Sequence, residues 1–310
     1  MFPGVEVVLA GNSTNSKRLA DVEGIKFVQL EESLGDPNKT PEKIRRSGYD
    51  LKFWDGYWQK TFDRLLAIEL AHRELASGPV LHIETDVILL KDFPFDKIAS
   101  SKKLMWAAHS DTSDIASIVF SPTPSLSHWL AAEVMIAAAE DPAMNDMAAL
   151  NLVRNRNPSV VELFSPTPNF GNEGPAGWVF DGLQYGDWLF GWDPNAHWGF
   201  KRRRLETTAF SDKVKQMKFE VIEGSLWVSE GGKKALVANL HIHSKERRFF
   251  ATDISKELAW VIEQVQVERS FYGLDLGATA RWAMSRIRRW SKSAVSFERW
   301  KALVNLSRKA

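Results

Sequence analysis

The sequence predicts an α/β protein, with a mixed, mainly parallel central sheet flanked by helices and followed by a C-terminal amphipathic helical tail. Three observations carry this reading. Short apolar runs alternate with longer stretches of helical periodicity. Several of those runs are aliphatic or branched throughout, the composition of strands covered on both faces. At the start of the chain, two strands and a turn have the order of a nucleotide-binding fold.

The elements follow in order. Residues 5–10 form a strand that runs into Gly11-Asn12-Ser13, and 26–30 form a second strand after a short polar helical piece. Beyond a loop marked by Gly35-Asp36-Pro37-Asn38, residues 58–76 place Phe62, Leu65, Leu66, Leu70 and Leu75 near one helical stripe, which Ser77-Gly78-Pro79 stops. Residues 80–90 read as a buried strand that an acid-x-acid pair interrupts. Strands at 104–108 and 115–120 come next, then a helix at 124–139 and another at 146–153 with Asn145 as its cap. Residues 165–195, rich in Gly, Pro, Asn and aromatics, read as an extended functional loop region. A late strand spans 237–243. No repeat or linker interrupts the chain before about residue 270, so residues 1–270 are expected to form one domain and 271–310 a tail.

The acidic pair carries the chemistry. Buried carboxylates are costly unless something positive meets them. In His82-Ile83-Glu84-Thr85-Asp86 the two-residue period puts His82, Glu84 and Asp86 on one strand face. Two acidic groups so spaced suit a hard divalent cation, which leaves coordination positions for phosphate oxygens. The plainer alternative is a strand end whose acids cap a helix or pair with an arginine.

Composition narrows the setting. With 310 residues, 44% hydrophobic and 25% charged, the chain is an ordinary globular one. The absence of cysteine excludes disulfides, thiolate metal sites and cysteine nucleophiles, and fits a reducing cytoplasm. Met1-Phe2-Pro3-Gly4 leads into a strand without a signal core, and no stretch approaches the roughly 18 apolar residues of a spanning helix. A cytoplasmic protein is expected. No G-x-x-x-x-G-K-[ST], no G-x-G-x-x-G after the first strand and no G-x-S-x-G occurs, which argues against P-loop, dinucleotide and α/β-hydrolase chemistry.

A second cluster lies in Asn239-Leu240-His241-Ile242-His243-Ser244-Lys245. Alternation points His241 and His243 the same way, with Lys245 just past the strand end. An imidazole completes a carboxylate site for Mn2+ or a related ion, and a lysine meets a diphosphate as a point charge. In isolation, two strand histidines are ordinary core or surface residues. Their weight comes from convergence with Glu84 and Asp86.

On these residues the chain resembles the GT-A type glycosyltransferases, metal-dependent enzymes that use nucleotide-activated sugars. The resemblance rests on Val7-Val8-Leu9-Ala10-Gly11-Asn12, on His82-Ile83-Glu84-Thr85-Asp86 in the place of a D-x-D motif, on Asn145-Asp146-Met147, and on the His241 segment. It covers about residues 5 to 250. The segment Phe180-Asp181-Gly182-Leu183-Gln184-Tyr185-Gly186-Asp187-Trp188-Leu189 also looks like an acceptor-side element of bacterial sugar transferases. The resemblance implies a GT-A-like catalytic domain over residues 1–270 that moves a sugar from a nucleotide-sugar donor to a glycan or lipid-linked glycan acceptor. It implies Mn2+ or Mg2+ held by Asp86 and His243, with Glu84 or His241 assisting. Because the first acid is Glu84 rather than Asp, Asp86 is the direct ligand, and Glu84 binds through water or touches ribose. Asn12 and Ser13 are expected near base and ribose, and Arg64, Lys60 and Lys245 near phosphate. Asp146 is the expected base for an inverting reaction, with Asp181 and Asp187 as rivals; in a retaining reaction they orient the sugar. Trp178, Trp188, Trp192 and Trp198 crowd the acceptor-side segment, either stacking on sugar or filling core.

The tail has a separate character. Residues 271–310 hold nine Lys or Arg against two acids. On a helix, Ala283, Ile287, Trp290, Ala294 and Phe297 share one face, while Arg281, Arg288, Lys292 and Arg299 gather on the other. That pattern suits an anionic membrane surface, which would place the enzyme at the inner face of the cell membrane in surface-polysaccharide assembly. A helix docked on the domain is the alternative, and Lys301 interrupts the apolar stripe. No nucleic-acid partner is expected. Two other classes share features of the pattern: a sugar-phosphate nucleotidyltransferase, and a non-catalytic protein that binds glycan or membrane.

Overall fold

The computed structural model describes residues 6–11, 25–29, 57–75, 78–110, 112–141, 144–168, 177–190 and 211–242, together with 254, 258, 259 and 261–263. Asn12, Ser13, His243, Lys245, Trp192, Trp198, the side chain of Lys60 and the tail 271–310 lie outside the described residues.

The protein is α/β, with mixed sheets flanked by helices. Strands β1 (Val7–Gly11) and β2 (Ile25–Gln29) pair in parallel. Helix α1 (Tyr57–Leu75) follows and buries Phe62, Leu65 and Leu70 of the stripe read from the sequence, together with Ile68, while Leu66 is only partly buried. A four-stranded sheet, in the order β3-β6-β5-β7, comes from β3 (Val80–Ile83), β5 (Leu104–Ala108), β6 (Asp114–Ser121) and β7 (Val161–Phe164). Strand β4 (Val87–Leu89) leaves this sheet to pair with β12 (Asn239–His241), and a short helix α2 (Phe95–Ala99) follows it.

Strand β5 shows why its sequence is apolar at every position. Leu104, Trp106 and Ala108 pack on α1, α3 (Pro124–Glu140) and α4 (Asp146–Arg156), against Leu65, Leu130 and Leu150. Met105 and Ala107 face the other way, toward Phe164, Phe180 and Ala238. Both faces are covered, so no polar residue fits. The helix starts are also local: the Thr123 side chain accepts from Leu126 N, and Asn145 Oδ1 accepts from Ala148 N at 2.8 Å, as the sequence predicts for Asn145.

A third core forms around a region for which the sequence offered no strand expectation before residue 237. Strands β9 (Lys218–Ile222), β10 (Ser225–Glu230) and β11 (Lys233–Val237) make a meander joined by two-residue turns. Glu223 and Gly224 take φ of 52° and 78°, and Gly231 and Gly232 take 55° and 81°. Two successive positive values are what a tight hairpin with twisted strands requires. Its inner face meets helices α5 (Gln184–Phe190) and α6 (Ser211–Gln216) through Leu226, Val228, Leu189 and Val214.

Three expectations change. The sheets are mixed but not mainly parallel: among the described pairings, five are antiparallel and three parallel. Three of the antiparallel pairs, β5–β6, β9–β10 and β10–β11, are joined by only two to five residues, too few for the long crossover that parallel neighbours need. Residues 80–90 are two strands in two sheets, parted by a turn. Residues 165–195 are more than loop, since they contain β8 (Trp178–Val179) and α5. No helix among the described residues is long and apolar enough to cross a membrane.

Candidate metal centre

The break between β3 and β4 builds the site. Strand β3 ends at Ile83, and Val87 N donates to Glu84 O at 3.1 Å, closing a turn over Glu84, Thr85 and Asp86. The two acids therefore meet across a turn, not along one strand face as alternation predicted. Strand β6 prepares the turn. Its register with β5 slips between Trp106, opposite Val119, and Ala107, opposite Ile115. Within the slipped stretch Ser117 O accepts from Glu84 N at 3.0 Å, so the irregularity aims the acidic turn.

Strand β12 brings the imidazole. His241 lies opposite Val87 in the antiparallel pair, and Ile242 N donates to Asp86 O at 3.0 Å. His241 Nε2 stands 3.3 Å from Asp86 Oδ1 and 3.6 Å from Glu84 Oε2. Ligand atoms of Glu84, Asp86 and His241 all lie within 4.8 Å of one another. The imidazole side is closed, at 5% exposure, while Glu84 and Asp86 keep 20% and 23%. Burial works against a charged imidazole, but the Asp86 hydrogen bond and charge, with the Gly182 carbonyl and Asp181, outweigh it and hold His241 above its ordinary range.

Arg64, on α1, adds positive charge from the other side. Its guanidinium pairs with both Glu84 and Asp146, two residues 62 positions apart that it draws together. Asp146 opens α4 and is 2% exposed. Arg64 Nε is buried with no hydrogen-bond partner among the described residues, and so is His82 Nε2. Burial, and then the Arg64 charge, push His82 down to about 3, so this imidazole is neutral beside the guanidinium.

Asp181 stands behind the cluster. It is 2% exposed, and its carboxylate accepts from three backbone N–H groups: Tyr185 and Gly186 at 2.9 and 2.7 Å, and His241 at 2.9 Å. Burial pushes its carboxyl up, against the lowering effect of those donors. Asp187 is buried in α5, and Trp178 donates its Nε1–H to Asp92 O at 2.8 Å instead of standing free beside the cluster.

Of the expected site residues, the fold brings Arg64, Glu84, Asp86, Asp146 and His241 together, with Asp181 one layer behind. His243, which the resemblance favoured as the imidazole ligand, lies outside the described residues. The expectation missed Gly182 and Gly186 as supports of His241, because their roles depend on backbone approach, and Asn239, because its side chain holds the backbone of a residue far away in the sequence. Only the glycine spacing in Gly182-Leu183-Gln184-Tyr185-Gly186, inside an otherwise apolar stretch, hinted at it. Comparison with protein-family models, curated proteins and solved structures finds no match for this chain.

Proposed function

We propose that this chain is a metal-dependent glycosyltransferase of GT-A-like arrangement, moving a sugar from a nucleotide-diphosphate sugar to a glycan or lipid-linked glycan acceptor. The observation that carries the reading is the convergence within 4.8 Å of Glu84 and Asp86, on a turn at the end of a strand, with His241 from β12. Two carboxylates and one imidazole, with no cysteine in the chain, form a donor set suited to Mn2+ or Mg2+. Asp86 and His241 would hold the ion, with Glu84 Oε2 as the third donor. A cation there supplies positive charge against the diphosphate leaving group.

The chain's own residues do the rest. Arg64 keeps Glu84 oriented and adds a fixed charge that screens the acids from one another. Asp146, paired with that guanidinium and almost fully buried, holds Arg64 extended toward the cluster. To accept the proton of an acceptor hydroxyl in an inverting reaction, Asp146 would first have to exchange Arg64 for substrate. The basic tail remains a proposed contact with an anionic membrane surface, through which a lipid-linked acceptor would be reached.

A panel of nucleotide sugars, assayed for Mn2+-dependent hydrolysis or transfer with wild type and Asp86→Ala, tests the class and identifies the donor. Turnover with one donor that Asp86→Ala abolishes is expected. Pyrophosphate release from a nucleoside triphosphate and a sugar phosphate would instead mark a nucleotidyltransferase. Glycan binding that Asp86→Ala leaves intact, without turnover, would mark a non-catalytic binder.

A further inference from the structure

The imidazole of the cluster is held more tightly than its own strand requires. His241 Nδ1 lies 2.7 Å from Gly182 O, and a carbonyl only accepts, so Nδ1 carries the hydrogen. The lone pair of the neutral ring is then on Nε2, the atom facing Asp86 and Glu84. The backbone N–H of His241 donates to Asp181 Oδ2 at 2.9 Å. Beside it, a Cβ built on Gly186 would fall 1.7 Å from His241 O, so α5 touches this strand through a position that admits no side chain.

The holding groups are themselves fixed. Asn239 grips both backbone atoms of Asp181, its Oδ1 accepting from Asp181 N at 3.2 Å and its Nδ2 donating to Asp181 O at 2.8 Å. Gly182 is wedged into the sheet, where a Cβ would meet Ile115 Cγ2 at 2.8 Å and Ala107 Cβ at 3.2 Å. Its carbonyl therefore has little room to turn away from the imidazole. A buried carboxylate with three backbone donors on it is costly to assemble. Here one of those donors belongs to the residue that presents the imidazole.

We propose that Asp181, Gly182 and Gly186, tied by Asn239, are positioning residues that fix the tautomer and placement of His241, so that Nε2 alone is offered to a divalent cation. The inference rests on the metal reading above. It gives Asp181 a holding role in place of the expected proton acceptor: its carboxylate is buried and serves three backbone donors. A partner of this kind raises ligand basicity and fixes ring orientation, and its loss lowers metal affinity by about 10–100-fold.

The test uses the full chain and two readouts. In wild type, metal-free and in alkaline buffer, 15N correlation spectra of the histidine rings, assigned by difference from His241→Gln, should show His241 protonated on Nδ1. A ring protonated on Nε2 would overturn the proposal without any variant. Mn2+ titration followed by the EPR signal of the free ion should then show Asp181→Asn and Asn239→Ala weakened by about 10–100-fold. Wild-type affinity in either folded variant, with an unchanged tautomer, would sink it. If Asp181→Asn does not fold, Asn239→Ala and the wild-type spectrum decide the matter. Asp86→Ala separates the two ideas. If it binds Mn2+ as wild type does, the metal reading fails; if it loses Mn2+ while Asp181→Asn does not, only the positioning role fails.

Discussion

Helix α4 carries an arginine–carboxylate cluster near each end, and the two are built on different plans. Near its C-terminus Arg154 meets Asp114 through two bonds, Nε to Oδ2 at 2.7 Å and Nη2 to Oδ1 at 3.2 Å. Trp106 Nε1 adds a third donor at 2.9 Å, and Asp114 is fully buried. At the N-terminal end one guanidinium serves two acids, Glu84 and Asp146, and its Nε has no partner among the described residues. A third acid, Asp86, stands beside it, partly open to solvent, with the buried His241 behind. A saturated buried carboxylate belongs to the fold, whereas a cluster with surplus acids and a spare donor retains capacity for a ligand.

The largest effect should come from breaking the saturated cluster. Asp114→Ala leaves Arg154 and Trp106 Nε1 facing a hole, together with Asn151, whose Nδ2 donates to Asp114 Oδ1 at 3.5 Å, and losing one partner of a buried ion pair costs about 3–5 kcal/mol. Denaturant unfolding should show that loss, while Mn2+ affinity of the folded fraction stays at the wild-type value. Should Asp114→Ala lower metal affinity and leave stability alone, the distinction between the two clusters is wrong.

The reverse pattern is expected on the open side. Asp86→Ala should reduce turnover by about 10^2–10^3-fold, the scale of removing one electrostatic contact to developing charge. Its denaturant midpoint should move far less than that of Asp114→Ala, because relief of repulsion among three neighbouring acids offsets the lost hydrogen bond to His241. A collapse of stability together with activity would show that Asp86 belongs to the scaffold.

Next in size is the response to the cation itself. A ligand that binds only the folded chain stabilises it by about 2.7 kcal/mol at 100 times its Kd. Thermal melts with and without Mn2+ should show a shift of that order in wild type and in Asp114→Asn, and none in Asp86→Ala. Equal shifts in all three would place the ion elsewhere.

How much of this contrast was legible in the chain depends on the range of the forces involved. Residues 104–108, 124–139 and the Asn145 cap were readable because period and capping act over a few residues. The acids Glu84 and Asp86 were readable as a pair, but not the turn that aims them, since Ile83 and Val87 look like one continuous strand. The link from Arg64 to Asp146 spans 82 positions, and no local pattern records it. The meander was announced only by Glu223-Gly224 and Gly231-Gly232, which the apolar pattern around them did not draw attention to. For Asp181 the residue type suggested chemistry, and only the three backbone donors around it point to support.

A third pair on the same helix sets the lower limit of the comparison. Arg156, the last residue of α4, meets Glu140 through two bonds of 3.1 and 2.7 Å, as well formed as those of Arg154, yet its side chain is 42% exposed and that of Glu140 47%. If geometry alone set the value of an ion pair, Glu140→Gln would approach Asp114→Ala in cost; if burial sets it, the change vanishes into solvent screening. The pH dependence separates these cases. The hydrogen bond from Arg156 lowers the Glu140 carboxyl below its ordinary 4.5; burial opposes that shift, and the Arg156 charge adds to it by less. A depressed carboxyl contributes stability above its unfolded-state value, and that contribution is lost as pH falls through the folded one. Wild type and Glu140→Gln should therefore differ slightly near neutral pH, converge only as pH falls well below about 4.5, and become indistinguishable in high salt at every pH. A difference that survives high salt and rivals that of Asp114→Ala would mean that bidentate geometry, and not exclusion from water, separates the structural cluster from the open one.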